Sequence, residues 1–486
     1  MPPLKIFSLK ELHMCLKPHE NSFTVREQND ALRSIKDPQS LLDNLFSQLF
    51  SCVTPAAEEN FTLYSKALFM LNGVHTLRFM YHHCINEMTS KHLNNFYRCF
   101  NEHDLITRWR EVVANLILKI LPVALTLPIF LIIDDTLVEK VGDHFDFWDK
   151  LHDHTNKNGT NYIYGHCFVS LVIAVPVLIN GSVKYIRVPL EHRLWIPKQQ
   201  RVMEQDEQNK LEIASSMIEE AIALLGNDKK YIITCDAWYS KAPITNWVDR
   251  EDVRVGMIAA VRVNSRIWEL PEEQTSTGRR GRKPLYGKVI NLEDVALMDL
   301  QGTNYNGAYI QGKAHIFGHR QVSIYITQPK KGGARKLFIC TDPKLSEYLD
   351  CAALDLDPKY ARFLKKRPEF VGLAAYGLRW MIETVYLEQK TWWGLCDYRL
   401  RSQAGFMTLI NLNSVLYAIT SMLPHLDENL ASLVNLSIQE RRARIGRTLD
   451  KKLILSTFVK ECVTHGNSGD LATAYSTFCE SYLLAV

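Results

Sequence analysis

Three carboxylates are the groups in this chain most able to do chemistry. Asp134 and Asp236 each close a run of apolar residues, FLIID and YIITCD, and Glu383 lies far downstream in YGLRWMIETVYLEQK. Carboxylates are hard oxygen ligands for Mg2+. Two such ions about 3.5–4 Å apart supply the activated water and the stabilised leaving oxygen that phosphodiester cleavage needs. Side chains at the C-terminal ends of neighbouring strands in an open α/β sheet converge on one crevice. Each aspartate also has an ordinary reading as a helix cap or turn former. Asp135 competes with Asp134 for the first position, because adjacent strand residues face opposite sides and only one can join the site.

The Glu383 segment reads as one amphipathic helix. At about 100° per residue, Tyr376, Arg379, Glu383 and Lys390 fall near 0°, 300°, 340° and 320°, a stripe about 60° wide. Val371, Ala374, Leu378, Met381, Ile382 and Val385 occupy the opposite face. A solvated face with an Arg379–Glu383 pair four residues apart has the same periodicity. The two aspartates elsewhere in the chain favour a site.

The elements that must position these residues follow from patterning. Residues 1–120 carry helical spacing, as in SLLDNLFSQLF and SKALFMLNGVHTLRFMYHHC, and predict an all-helical N-terminal domain. From about residue 128 the order becomes β-β-β-α-β: PIFLIIDD, YGHCFVSLVIAVPVL, SVKYIRVPLEH, then the helix NKLEIASSMIEEAIALL closed by Gly226, then KKYIITCD. Asn180-Gly181 predicts a hairpin turn. The resulting divisions are a core over 121–249, a β-rich insertion over 250–350, the core's second part with the Glu383 helix over 351–415, and a helical C-terminal region over 416–486. The fold class is α/β, α+β multidomain, with a mixed sheet.

Composition excludes several classes. The net charge of +4 is too small to mark a nucleic-acid binder, so a DNA surface has to come from local basic clusters. The 11 cysteines are odd in number and too widely spaced for a zinc half-site, which fits a reducing cytoplasm. The N-terminus lacks the apolar segment of a secretory signal. Residues 112–133 are apolar enough to span a membrane. However, Lys119 inside that stretch would cost roughly 2.5–3.5 kcal/mol on insertion scales, and Pro122 and Pro128 interrupt it. A helix ending near Leu121 followed by a strand from about Ile129 is the better reading, with no membrane contact.

The spacing Y-x2-R-x3-E-x6-K, met by Tyr376, Arg379, Glu383 and Lys390, resembles the signature of insertion-sequence transposases of the YREK, IS-four-like group. Trp380 after the arginine is similar to that group too. So are Asp134-Asp135-Thr136, which matches D-x-[ST] and favours Asp134, Asp236 in TCDAWYSK, and a β-rich insertion before the glutamate. The resemblance covers about residues 128–400. It implies an RNase H-like catalytic domain whose Asp134, Asp236 and Glu383 hold two Mg2+, Mn2+ substituting. It further implies metal-dependent cleavage at transposon ends and transfer of the 3′-hydroxyl into target DNA, with a hairpin intermediate. Tyr376, Arg379 and Lys390 would grip phosphates and Trp380 would stack on DNA. The partners so implied are double-stranded DNA, both terminal inverted repeats and target, and a second copy of the chain in the DNA complex. The setting would be prokaryotic, cytoplasmic and nucleoid-associated. The N-terminal helices are the expected readers of the terminal repeats.

Basic clusters at TGRRGRKPLYG (Arg279, Arg280, Arg282, Lys283), PKKGGARK, LKKRP and ERRARIGR read singly as solvated surface. The first resembles a minor-groove arm. The histidine-rich stretch from Asp143 to His166 matches no zinc spacing and reads as a polar loop near the cleft. Competing readings are a retired or domesticated transposase-derived DNA-binding protein, another RNase H-like nuclease, and a membrane-associated enzyme.

Overall fold

The computed structural model describes residues 38–122, 127–153, 161–201, 208–272 and 284–466. The chain begins there with helices α1 (Pro38–Phe50), α2 (Pro55–Met70), α3 (Leu93–Glu102) and α4 (Ile106–Ile120). Thr54 starts α2 by accepting from the Ala57 backbone N–H, with Pro55 in the first turn, where its missing N–H costs nothing. In α4, Trp109, Val112, Val113, Leu116, Ile117 and Ile120 make the buried stripe while Lys119 is exposed. The apolar stretch 112–133 is thus the end of one helix and the start of a strand.

The strands are β1 (Ile129–Glu139), β2 (Asp149–His152), β3 (Tyr162–Ile179), β4 (Ser182–Trp195), then helix α5 (Lys210–Leu225), then β5 (Lys230–Cys235) and β6 (Arg254–Val261). They lie in the order β4-β3-β1-β5-β6. Strand β3 is antiparallel to β1, to β4 and, at its start, to β2, and β1, β5 and β6 are mutually parallel. That is the RNase H-like arrangement of a mixed sheet. The β3–β4 hairpin turns on Asn180 (φ 51°) and Gly181 (φ 76°), two positive-φ residues that match the strands' twist. Asn209 and Glu212 close a capping box on α5, and Gly226 ends it at φ 101°.

The strand-rich stretch from 250 onward does not stand apart. Its first strand, β6, is the fifth strand of the core. Antiparallel strands β7 (Ile267–Glu269), β8 (Met298–Asp299), β9 (Tyr305–Ala314), β10 (Gln321–Pro329) and β11 (Lys336–Cys340) extend the same sheet outward from it. Helices return as α6 (Pro358–Lys366), α7 (Val371–Tyr376), α8 (Trp380–Trp392), α9 (Gln403–Leu426) and α10 (Ile438–Gly466). Among the described residues, α9 is the one helix long and apolar enough to cross a membrane, but its apolar stretch is buried throughout inside the protein.

The division near residue 120 does not separate two cores. One continuous apolar cluster runs from Leu42 on α1 through the sheet to Leu449 on α10. Nor is ERRARIGR wholly a solvated surface: Arg444 and Arg447 are exposed, but Arg441 and Arg442 are only 6% and 1% exposed. Arg441 donates to the carbonyls of Ser421, Leu433, Val434 and Leu436. Arg442 donates to Leu68 O at 2.6 and 3.0 Å, to Leu71 O at 2.6 Å and to Trp392 O, and it meets His75 Nε2 at 2.8 Å. Carbonyls left over at the ends of α2 and α8 therefore share one guanidinium. Burial lowers the pKa of both arginines to about 10.

Arg442→Met keeps the volume and removes the donors. Each orphaned buried carbonyl costs about 1–3 kcal/mol, so the substitution should destabilise the protein by roughly 3 kcal/mol or more. A denaturant midpoint that moves by less than the equivalent of about 1 kcal/mol would show that the guanidinium is not what joins these helices.

Candidate active site

Strand register sets up the site. The last rung between β1 and β5 pairs Ile132 with Thr234, and both strands run the same way. Two residues further on, Asp134 and Asp236 stand at equivalent positions on the same face. Thr136 follows on that face, buried. Helix α8 crosses the face and supplies Glu383. Arg379, just before α8, joins them: its Nη1 lies 2.8 Å from Asp134 Oδ2 and 3.4 Å from Glu383 Oε1. The two carboxylate oxygens thus cannot be farther apart than those two lengths laid end to end.

Burial pushes the Asp134 carboxyl up to about 7. Arg379 opposes the rise, and Asp236, Asp135 and Glu383 add to it. The pKa of Arg379 is raised: burial pulls it down, but Tyr376, Asp134 and Glu383 outweigh burial. Asp236 also does the local work of a turn former, since its Oδ1 accepts from the backbone N–H groups of Trp238 (2.9 Å) and Tyr239 (3.2 Å).

Asp135 faces the other side of the sheet. Lys210 Nζ is 2.6 Å from its Oδ2, and the Tyr239 hydroxyl (3.1 Å) and Cys167 thiol (3.2 Å) donate to it. The Lys210 pKa is raised, with burial pulling it down and Cys167 and Asp135 outweighing that pull. The alternation that separates Asp134 from Asp135 therefore gives α8 one carboxylate and α5 the other.

The helix that carries Glu383 is less regular than its sequence suggests. Residues Gly377–Arg379 tighten into a 3-10 turn between α7 and α8, so a constant angle per residue does not run from Tyr376 to Lys390. Tyr376 packs on Phe338 with ring centroids 4.8 Å apart, and burial raises its pKa above the usual phenol range. Lys390 Nζ donates to Leu137 O at 2.9 Å, tying the far end of α8 to β1. Arg379 and Glu383 are thus brought to Asp134, while Tyr376 and Lys390 are drawn into contacts beside it. Trp380 is 66% exposed, and the Arg379 guanidinium carbon lies 6.0 Å from its ring centroid. Trp238, two residues past Asp236, is 41% exposed.

Arg279, Arg280, Arg282 and Lys283 lie outside the described residues, as does His154. Of the other basic clusters, Arg335 is spent on the carbonyls of Leu292 and Val295, and Lys330 pairs with Asp299. His166 is a core residue: its ring contacts the Tyr398 hydroxyl (2.6 Å) and Asp146 O (2.9 Å), and burial lowers its pKa to about 4. The buried groups behind the carboxylates, Ser170, His192, Tyr386 and Gln389, had no sequence signal. Each is a polar residue in an element whose apolar pattern dominates.

Among the described residues, no three His, Cys, Asp or Glu side chains are gathered closely enough to enclose a metal ion. The donor set nonetheless suits a hard divalent cation. Burial raises the Asp134 pKa, with Asp236, Asp135 and Glu383 adding to the rise, and a cation, the Arg379 guanidinium, bridges Asp134 and Glu383.

Asp134 and Asp236 thus stand at matching positions on adjacent strands of an RNase H-like sheet, with Glu383 on the helix that crosses them. The sequence agrees: residues 48–300 match the family model of DDE superfamily endonucleases, and the chain belongs to that family. The match includes Asp134 and Asp236, and Glu383 lies beyond it. No curated protein matches significantly in sequence. A solved structure, piggyBac transposase in a synaptic complex with hairpin DNA, aligns over 87% of this chain and 81% of its own at 13% identity and a TM-score of 0.43. A likeness that loose carries no weight for function.

The Asp134 pKa has a consequence for stability. A carboxyl near 7 in the folded state, against about 3.9 unfolded, binds its proton more tightly when folded, so stability falls as pH rises between those values. Asp134→Asn in metal-free protein should therefore be more stable than wild type at pH 8, by on the order of 2–4 kcal/mol. The gap should close toward pH 4, where the wild-type carboxyl is neutral. Thermal unfolding across that range reads the effect. A gap that is absent, or that widens as pH falls, contradicts the assigned burial.

Proposed function

We propose that this chain is a cut-and-paste DNA transposase, of the YREK insertion-sequence group, in which Asp134, Asp236 and Glu383 hold divalent cations, Mg2+ with Mn2+ as substitute. The single observation that carries the reading is Arg379 joining Asp134 to Glu383, with Asp236 at the matching position of the adjacent strand, in a chain of the DDE endonuclease family. Two divalent cations bound there would lower the pKa of the attacking water and neutralise the leaving oxygen.

The remaining work falls to the chain's own side chains. Asp134 and Asp236 are fixed by strand register, and Glu383 is brought to them by α8, so the three carboxylates are held by separate rigid elements. Arg379 is placed to exchange its carboxylates for a phosphate: its fork can grip two oxygens beside the scissile bond. Exposed Trp380 offers a ring face on which a base can stack. In the reaction, water attacks the phosphorus at the transposon end and the 3′-oxygen of the transposon strand leaves as a hydroxyl. That hydroxyl then attacks the opposite strand, closing a hairpin on the transposon end and releasing the flanking strand's 3′-hydroxyl. A second water opens the hairpin and restores the transposon 3′-hydroxyl, which attacks target DNA by exchanging one phosphodiester for another. Two ends must be held together, which a homodimer on double-stranded DNA would do, in a cytoplasmic, nucleoid-associated setting.

Asp236→Asn and Glu383→Gln should each lower metal-dependent nicking of DNA carrying the element's terminal repeats by about 10³-fold or more, a typical loss for a group acting on transition-state charge. Binding to the same DNA should persist. Equal nicking by Glu383→Gln removes that residue from the site. Wild type that binds the ends but never cuts, with any divalent cation, supports the retired-element reading instead.

A further inference from the structure

Part of the histidine-rich stretch that matches no zinc spacing folds into a two-stranded ribbon that the reaction above does not use. Strand β2 pairs with the start of β3 so that Lys150 stands opposite Tyr164 and His152 opposite Tyr162. Alternation sends these four residues to one side and Asp149, Leu151 and Ile163 to the other. Leu151 and Ile163 pack with Cys167, Leu137 and Trp195, and Asp149 Oδ2 accepts from the Gln199 side chain. The first side is open to solvent. Tyr162 and Tyr164 are each 46% exposed, with Lys150 and His152 exposed beside them. Trp148 stacks on Tyr164 with ring centroids 5.0 Å apart, and Lys150 Nζ lies 4.3 Å from the Tyr162 centroid. Rings and basic groups thus share one face of the ribbon, while apolar groups and an acid take the other.

That face is continuous with the one that carries the carboxylates. Ser170 pairs with Asp134, and residues directly opposite each other share a side. Tyr164 lies six residues back along β3 from Ser170, an even number, so it shares that side at a distance of about 20 Å. Ile163, Cys167 and Leu137 meet in one cluster on the opposite side, so the alternation holds through Gly165. Cations line the interval. Beyond Arg379 at Asp134 and Lys390 at the Leu137 carbonyl, Lys140 Nζ donates to the carbonyls of Cys396 (2.7 Å) and Tyr398 (3.1 Å). Arg399 and Arg401 follow, both exposed, and the Arg401 carbonyl accepts from the Asp146 N–H at 2.9 Å, two residues before Trp148. The acids beside them are occupied. Asp146 Oδ2 accepts from the Gln403 N–H, Asp397 Oδ2 accepts from the His75 N–H, and Asp143 lies 3.6 Å from His144.

We propose that this face seats the DNA duplex running away from the cleaved bond, with Lys150 on a phosphate about six base pairs from it. At about 3.4 Å per base pair, six pairs cover the 20 Å that separate the ribbon from Asp134. Arg399 and Arg401 neutralise phosphates along the interval, and the Tyr164 hydroxyl donates to a phosphate oxygen beside Lys150. The chemistry selects DNA as the occupant. A phosphate backbone meets cations, a phenol and, among the described residues of the ribbon face, no acid; an apolar protein surface would have to desolvate those cations. The inference rests on the reading that the carboxylates cut DNA, because that reading sets where the duplex begins.

Binding of a fluorescent mixed-sequence duplex of about 30 base pairs to the full-length protein, measured across a range of KCl concentrations, tests the placement. Each neutralised phosphate adds about 0.9 to the steepness of log K against log salt. Lys150→Gln, Arg399→Gln and Arg401→Gln together should therefore make that slope shallower by about 2–3. Three exposed cations on α10, Arg444, Arg447 and Lys451, replaced by glutamine in the same way, should change it by less than about 0.5. Tyr164→Phe should weaken binding about tenfold and keep the wild-type slope, since it removes a donor and no charge. The placement is overturned if the first triple variant keeps the wild-type slope, if the α10 variant loses as much, or if Tyr164→Phe binds like wild type. None of these results touches the carboxylates, whose nicking of terminal-repeat DNA is read separately. Wild type that binds no duplex also overturns the placement, and if it fails to nick as well, the catalytic reading falls with it.

Discussion

A carboxylate placed inside the protein is the constraint around which this fold is organised. Asp134 follows the fully buried apolar half of β1, in mid-strand, where an isolated anion would be strongly disfavoured. The chain answers in two ways. It lets the pKa rise, and it delivers a guanidinium from a helix more than two hundred residues downstream. Everything that fixes that helix therefore fixes the site. Gln389 is held by His192, Lys390 by the Leu137 carbonyl, and Glu388 by Arg187 at 2.6 Å and by the Tyr417 hydroxyl. Three consecutive side chains on one turn of α8 are thus bonded to β1, β4 and α9. This is far more anchoring than a surface helix needs.

The same logic accounts for the helical ends of the chain. A helix anchored this heavily must have its own end secured, and Trp392 O is taken by Arg442 from α10, which also takes the last carbonyls of α2. N-terminal and C-terminal helices are in this way built into one body with the sheet, consistent with a core that continues from Leu42 to Leu449. A separate N-terminal module for DNA ends would need a joint there. Instead the two ends of the chain share a buried cation.

What the sequence made legible was local. Apolar runs ending in aspartate marked β1 and β5, Asn180-Gly181 marked the hairpin, and Asn209 with Glu212 and Gly226 bounded α5, because each signal lies within a few residues of what it specifies. Register then placed Asp134 and Asp236 together, since two parallel neighbours ending in the same way bring like positions side by side. What stayed hidden depended on partners far along the chain. Nothing in ERRARIGR distinguishes an arginine spent on buried carbonyls from one in water. Nothing in YGLRWMIETVYLEQK shows that Gly377–Arg379 tightens, which shifts Tyr376 from the angle to Glu383 that constant helical geometry draws. The outward growth of the sheet through β6 and β11 was equally invisible, because a strand's neighbours are not written in its own alternation.

Two adjacent aspartates show how far a single strand can divide its labour. On one face Asp134 is left with neighbours that are mostly acidic, balanced by one guanidinium that other contacts could draw away. On the other face Asp135 is given a lysine at 2.6 Å, a phenol and a thiol, a set with no acid to compete and no reason to open. The second arrangement is what a purely structural ion pair looks like: its partners come from α5 and the turn after β5, so it locks the strand ends that hold Asp134 and Asp236 level. Had both carboxylates been structural, Asp134 would be expected to have a comparable set of donors. Asp134 has instead its neighbour's backbone N–H and an arginine shared with Glu383, and that is the asymmetry between the two aspartates.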